Sequence, residues 1–167
     1  ECTEWMGCEE WLTSRAVSPE IAAQIVAGVQ DMEQRALASG EDIRGSQPTG
    51  DNMVGGLTTI EEKSMGACKK SGSAPIVGYL EIAERPMGAA PGLYVMYGPG
   101  HGAESISSMA AAGCQVLVFN AGGGHTSSHP IMPTIKITGN ATSYALMKDT
   151  VELDVSGVLR DEITLEQ

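Results

Sequence analysis

From Ala74 onward the chain repeats one order: a short apolar run, a glycine-bearing loop, then a helix. No other feature restricts the fold as much. Pro75–Ile82, Gly92–Tyr97, Cys114–Phe119, Thr134–Thr138 and Val151–Val155 read as five strands. Residues 84–91 read as a turn, and Glu104–Ala112 (stopped by Gly113) and Ala141–Asp149 read as helices. Strands separated by helices pair in parallel more readily than as hairpins, so the class is α/β. The expectation is a Rossmann-like, mostly parallel sheet with flanking helices.

Three loops follow strands directly: GPGHG (98–102), NAGGGHTSSHP (120–130) and TGN (138–140). In a parallel sheet, ligands collect at the carboxyl ends of strands, where these loops would sit. Neither GPGHGAE nor NAGGGHTS spells the dinucleotide fingerprint, and no acidic residue is placed for a ribose, which argues against NAD.

The first part of the chain is helical. Glu9–Arg15 reads as a short helix beside Trp5 and Trp11, the only tryptophans. A longer helix follows, with Ser18 as N-cap, Pro19 at the first helical position and Gly40 as its stop. Ile21, Ile25, Val29, Met32 and Ala36 form its apolar stripe, while Gln24, Asp31, Gln34 and Arg35 lie opposite. This pattern reads as packing alone. Glu41–Pro48 reads as a polar linker. Residues 1–45 are thus a helical lead-in belonging to a preceding N-terminal part, and 46–167 are a C-terminal α/β domain. An opening at Glu1 without a methionine reads as a piece of a longer chain.

The densest polar run is GDNMVGGLTTIEEKSMG, from Gly50 to Gly66. Thr58-x-x-Glu61 and Thr59-x-x-Glu62 both match capping boxes, so a helix should start here and end near the lysine pair Lys69-Lys70. Its first-turn N–H groups would face the glycine loop, where an anion could sit. One threonine and one glutamate suffice for a cap, so the remaining polar groups point to binding or chemistry.

GSQPTGDNMVGGLTTIEEKSMGACKKSGSAPIVG, residues 45–78, resembles the central signature of the altronate and galactarate dehydratase family. The likeness extends backward through ECTEWMGCEEWLTSRAV and forward through IMPTIKITGN and LDVSGVLRDE. It covers nearly the whole chain and the C-terminal part of the family's enzymes. The resemblance implies a metal-dependent lyase that removes water from a sugar acid, giving a 2-keto-3-deoxy acid. Sulfolactate sulfo-lyase subunits belong to the same superfamily, and PTGDN with LDVSG leans toward them. A third reading makes this segment a non-catalytic assembly or binding module.

Dehydration needs a base for the proton beside the carboxylate, a divalent metal to spread the enediolate charge, and an acid for the departing hydroxyl. Either Glu61 or Glu62 could act as base or ligate the metal, and Glu62, Lys63 and Lys136 are the candidate catalytic residues. Asn52 matches the asparagine of the family signature and, with Gly55, Gly56, Thr58 and Thr59 near it, is a candidate substrate contact. Glu61 and His125 are the candidate ligands of a divalent metal, iron(II) or manganese. Asp51 is less secure, because sugar-acid members commonly carry glycine there. His101, His125 and His129 all fall in strand-end loops, but the family has an Arg or Gln at the position of Gly123 and a small polar residue at that of His125. Lys136 alternates with Ile135 and Ile137. In a central strand it needs a partner or a ligand carboxylate, and in an edge strand it reaches water.

Composition narrows the partners. The net charge of −11 and 4% aromatic content oppose nucleic acid and anionic membranes. No apolar run has the length of a membrane span. Without CxxC spacing, the four cysteines Cys2, Cys8, Cys68 and Cys114 read as free thiols of a reducing cytoplasm, with Cys68 and Cys114 buried. The expected partners are a small anionic hydroxy acid, the rest of the full-length chain and further copies in a homo-oligomer. With so acidic a chain, attraction of that substrate must be local, from helix N-termini, lysines and the metal.

Overall fold

The computed structural model describes residues 4–88 and 90–164. They form two compact units, the first running to Ala112 and the second beginning at Gly113. Both are built of helices and parallel strands, so the α/β class holds. The strands fall into two sheets rather than one: β1–β2 in the first unit and β3–β4–β5 in the second. Sequence pattern finds strands but not their neighbours, because pairing is decided by contacts far apart along the chain. The unit boundary also does not coincide with a division at 45/46.

In the first unit, α1 (Glu9–Thr13) and α2 (Pro19–Ala38) precede α3 (Ile43–Ser46), α4 (Gly50–Val54) and α5 (Ile60–Lys69). Strands β1 (Ile76–Leu80) and β2 (Leu93–Met96) are parallel, and α6 (Gly102–Ala111) closes the unit. α2 starts where its caps direct: Pro19 opens it and the Ser18 hydroxyl accepts from the Ile21 N–H. Its stripe buries Ile25 and Val29 and half-buries Ile21 and Met32 against a core of Trp5, Met6, Leu12, Ile60, Cys68, Ile76 and Val95. Burying one such aliphatic side chain contributes about 1.5–3 kcal/mol, enough to decide which face of α2 turns inward. The lead-in helices therefore share their core with β1 and β2.

Arg15 ties this arrangement at the far end of α1. Its guanidinium donates to the Ala74 carbonyl at 2.7 Å and to the Ser71 hydroxyl at 2.9 Å, and lies over the Trp11 ring at 4.6 Å. Beside it, the Ile76 N–H donates to the Arg15 carbonyl and Val17 N–H to that of Ile76, so the chain entering α2 pairs with the start of β1. Gly78 is required by close approach: a Cβ there would lie 2.5 Å from the Tyr94 ring of the neighbouring strand.

The expected linker at 41–48 holds α3, begun by an Asp42 carboxylate that accepts from the Arg44 N–H at 2.9 Å. The glycine loop likewise contains α4. Both helices are one turn long, too short for an apolar stripe to announce them.

In the second unit, β3 (Leu117–Asn120), β4 (Thr134–Thr138) and β5 (Leu153–Asp154) are parallel with β4 in the centre. α7 (Ala141–Met147) connects β4 to β5, and α8 (Ser156–Leu159) follows. The Asn140 side chain caps α7 by accepting from Thr142 and Ser143 N–H groups. Met132, Lys136, Thr138 and Val151 are the buried residues around this sheet. Among the described residues, no helix is long and apolar enough to cross a membrane.

Cys8, Cys68 and Cys114 are free; Cys2 lies outside the described residues. Cys8 and Cys68 are buried, whereas Cys114, expected inside, is exposed. It precedes β3 rather than lying in it, so sheet packing does not cover it. Burial pushes the Cys68 thiol up to about 12 and raises that of Cys8, so neither forms thiolate near neutrality. Iodoacetamide at pH 8 is expected to alkylate Cys114 in the native protein and to reach Cys8 and Cys68 only after denaturation. Peptide mapping by mass spectrometry checks this, and native labelling of Cys68 at the rate of Cys114 contradicts it.

Candidate active site

The signature stretch folds as two short helices joined by a glycine turn. In α4 the Asn52 carboxamide oxygen accepts from the Thr49 N–H at 3.2 Å and the Thr49 hydroxyl at 3.0 Å, closing the first turn on itself. Gly55 ends α4. Gly56 then takes φ of +101°, a conformation that disfavours any residue with a side chain. Leu57 N–H returns to the Asn52 carbonyl at 3.0 Å, leaving Thr58 and Thr59 at the mouth of α5.

Thr59 is the N-cap of α5, its hydroxyl accepting from the Glu62 N–H at 3.2 Å. The Glu62 carboxylate reaches one residue further back than a capping box requires. It accepts from the Thr58 N–H at 2.7 Å and the Thr58 hydroxyl at 2.8 Å. Those hydrogen bonds, the backbone one foremost, hold its carboxyl below the ordinary glutamate value, although the residue is exposed. The anion expected at this helix start is thus the chain's own carboxylate. A carboxylate so stabilised is a weaker base, which opposes general-base work by Glu62.

Its neighbours are also engaged. Lys63 is half-buried and donates to the Gln47 side-chain oxygen at 2.5 Å. Glu61 is half-exposed, 3.7 Å from an Arg44 guanidinium nitrogen, while Arg44 holds Glu33 at 2.5 Å. Gly7 lies against Glu61, where a Cβ would approach the glutamate Cγ to 2.4 Å; its φ is +78°. The structure therefore joins Thr58, Thr59 and Glu62, and separately Lys63 with Gln47, Asn52 with Thr49 and Glu61 with Arg44. Gln47 and Arg44 carry no local pattern that would single them out.

The other predicted residues lie in the second unit. Lys136 sits in the central strand and is 5% exposed. Its N–H donates to Glu152 Oε2 at 2.6 Å and its ammonium lies 3.5 Å from Glu152 Oε1. The partner that a central Lys136 demands is thus a protein carboxylate, held below its ordinary value chiefly by the Lys136 N–H. The Thr138 hydroxyl donates to the Gly122 carbonyl at 3.0 Å and accepts from Asn140 N–H, joining loops 120–130 and 138–140 at the carboxyl end of the sheet. Loop 98–102 belongs to the first unit.

His125 packs on Phe119 at 4.8 Å, and its Nδ1 accepts from the Ser127 N–H at 3.1 Å. His129 Nδ1 accepts likewise from Ile131 N–H at 3.4 Å. A metal-ligating histidine normally donates from its second ring nitrogen; these accept, which is the reverse polarity. Among the described residues no three His, Cys, Asp or Glu side chains converge as a metal cluster. Glu61 belongs to the first unit and His125 to the second, and no step is derived through a metal.

One further feature escaped the sequence pattern. A cleft of about 340 Å³ opens at the carboxyl ends of β1 and β2, lined by Gln24, Asp31, Arg35, Tyr79, Glu81 and Tyr97 among others. Asp31 accepts from the Tyr97 hydroxyl and from Arg35 Nε, each at 2.7 Å, and the tyrosine contact is the main cause of its lowered pKa. The polar face of α2 is therefore a cleft wall as well as a packing element. Only the pairing of Tyr97 with a residue 66 positions earlier reveals it.

The family described as "D-galactarate/Altronate dehydratase, C-terminal" matches residues 1–167, and the chain belongs to that family. It is 36% identical over 171 residues to the (2R)-sulfolactate sulfo-lyase subunit beta of Chromohalobacter salexigens, covering 100% of this chain and 43% of that one. Identity to the altronate dehydratase of Escherichia coli is 32% over 159 residues, covering 95% and 31%. For the galactarate dehydratase (L-threo-forming) of the same organism it is 28% over 169 residues, covering 100% and 31%. The chain spans less than half the length of these relatives.

The α5 cap makes a testable prediction. Glu62 has a lowered folded pKa, so its contribution to stability is complete above the ordinary glutamate value of 4.5 and is lost as pH falls through the folded value. The difference in urea midpoint between wild type and Glu62→Gln should be constant from pH 6 to 8 and shrink toward zero as the medium is acidified below 4.5. Thr59→Ala should cost about 1 kcal/mol at every pH. A Glu62→Gln difference that persists unchanged into acid contradicts the assignment.

Proposed function

We propose that this chain is the C-terminal domain of a lyase that removes water from a sugar acid of the altronate or galactarate type, yielding a 2-keto-3-deoxy acid. The observation that carries the reading is the family match across residues 1–167, together with dehydratase relatives that align over nearly the whole chain. The exposed Glu61 and Glu62 supply no independent support. The enzymatic assignment therefore rests on kinship and on the lysines.

In this reading the signature stretch holds its shape through Thr58, Thr59 and Glu62. Asn52, Gly55 and Gly56 shape the turn against which substrate hydroxyls would lie. Lys63, kept by Gln47, offers a cation to a carboxylate. Lys136 is the residue best suited to stabilise developing enediolate charge, because a buried cation acts more strongly on an anion than one in water. A divalent metal of the iron(II) or manganese kind would need donors beyond those that converge among the described residues. The free thiols Cys8, Cys68 and Cys114 support a reducing cytoplasm, and a homo-oligomer remains part of the proposal.

A second reading is carbon–sulfur elimination from sulfolactate, favoured by the 36% identity to a sulfo-lyase subunit and by Asp51 within PTGDN. The complete protein should be assayed with altronate, galactarate and (2R)-sulfolactate, following keto-acid formation and sulfite separately. Keto acid from a sugar acid without sulfite is the expected result; sulfite release from sulfolactate selects the second reading. In the same assay Lys136→Met is expected to lower turnover at least 100-fold while remaining folded, since the Glu152 carboxylate left without its cation is half-exposed and stays solvated. Undiminished turnover in folded Lys136→Met removes Lys136 from the mechanism.

A further inference from the structure

The β3–β4–β5 sheet has two unlike faces. Side chains alternate across a strand, and paired residues of parallel neighbours share a face. Leu117 and Phe119 thus lie with Thr134 and Lys136, on the side where Lys136 and Thr138 are buried. Val118 pairs with Ile135, and Ile137 with Leu153, on the opposite side. On that side Val118 is 60% exposed, Leu153 48% and Ile135 39%, and Val116 continues the alternation one residue before β3 at 56%.

Such a face is out of character for its sheet. All-parallel sheets are stable with both faces covered, because their strands are apolar on both sides. Four exposed apolar side chains, three of them β-branched, standing together beside the exposed Asn120, mark an interaction surface rather than scattered surface hydrophobics.

We infer that this face is covered by the part of the family's chain that lies outside this C-terminal domain. More than half of each relative's chain lies outside the matched region, the matched share being 31% to 43%. A covalently attached segment meets the face at high effective concentration. The inference uses the family's longer chain and not the reaction, so it stands or falls separately from the proposed elimination.

The test uses the complete protein carrying a photo-cross-linking side chain, Val118→p-benzoylphenylalanine, with Leu146→p-benzoylphenylalanine as a control at an 82% exposed helix position. After irradiation, cross-linked peptides are mapped by mass spectrometry. Position 118 is expected to yield cross-links to peptides outside these 167 residues, at least tenfold above position 146. Cross-links that map only within these residues, whether to a second copy or to the first unit, overturn the inference, as does a yield no greater than that of the control. As a second measurement needing no photochemistry, Val118→Cys in the complete protein should react with a maleimide at least tenfold more slowly than Leu146→Cys. Equal rates overturn it.

Discussion

The packing of residues 4–8 onto α5 is the contact on which the first unit depends. The inward side of α5 presents Ile60, Ser64 and Cys68, spaced four apart, and Ser64 and Cys68 are small enough for another backbone to approach. Trp5, Met6 and Cys8 fill that side. The Cys8 thiol donates to the Glu61 carbonyl at 3.3 Å, and Gly7 turns with positive φ against the Glu61 side chain. The Ser64 hydroxyl is buried there without a partner. Such a group costs about 1–3 kcal/mol, a cost offset by the burial of Trp5 and Met6. Residues 4–8 thereby hold the signature helix in the core of the first unit, and Arg15 ties the segment after α5 through Ser71 and Ala74.

Much of this was legible from the residues. Ser18, Pro19 and Gly40 bound α2, and its stripe names the buried residues. Thr59 marks the start of α5, and the Thr134–Thr138 strand is found to the residue. These signals are local: a cap, a period or a breaker acts within one turn. What was not legible depends on distant partners. The split into two sheets, the Lys63–Gln47 bond across 16 positions and the Tyr97–Asp31 bond across 66 follow from three-dimensional adjacency. Cys114 was misplaced for the same reason, since its burial turned on where β3 begins.

The polar density of the signature stretch illustrates a different limit. Read along the chain, Asn52, Thr58, Thr59, Glu61, Glu62 and Lys63 exceed what one cap needs. In the fold that surplus serves two caps, one ion pair and one tether to Gln47. A short helix placed directly after a glycine turn has few apolar contacts, so its stability comes from satisfied helix ends. Polar richness there is a structural requirement first, and any binding role is superimposed on groups already engaged.

The same reasoning separates the two members of the Lys136–Glu152 pair. The lysine side chain is 7% exposed and the glutamate side chain 47%, with 3.5 Å between their charged atoms. A shorter bond, 2.6 Å, ties Glu152 to the Lys136 backbone N–H. Lys136 has little freedom to leave, because its removal from the sheet would disrupt the central strand. Glu152, half-exposed and largely solvated, gains little from the ammonium; what holds it is the backbone bond, whose loss would leave the Lys136 N–H without this acceptor. The pair is thus anchored through the strand backbone more than through its two charges.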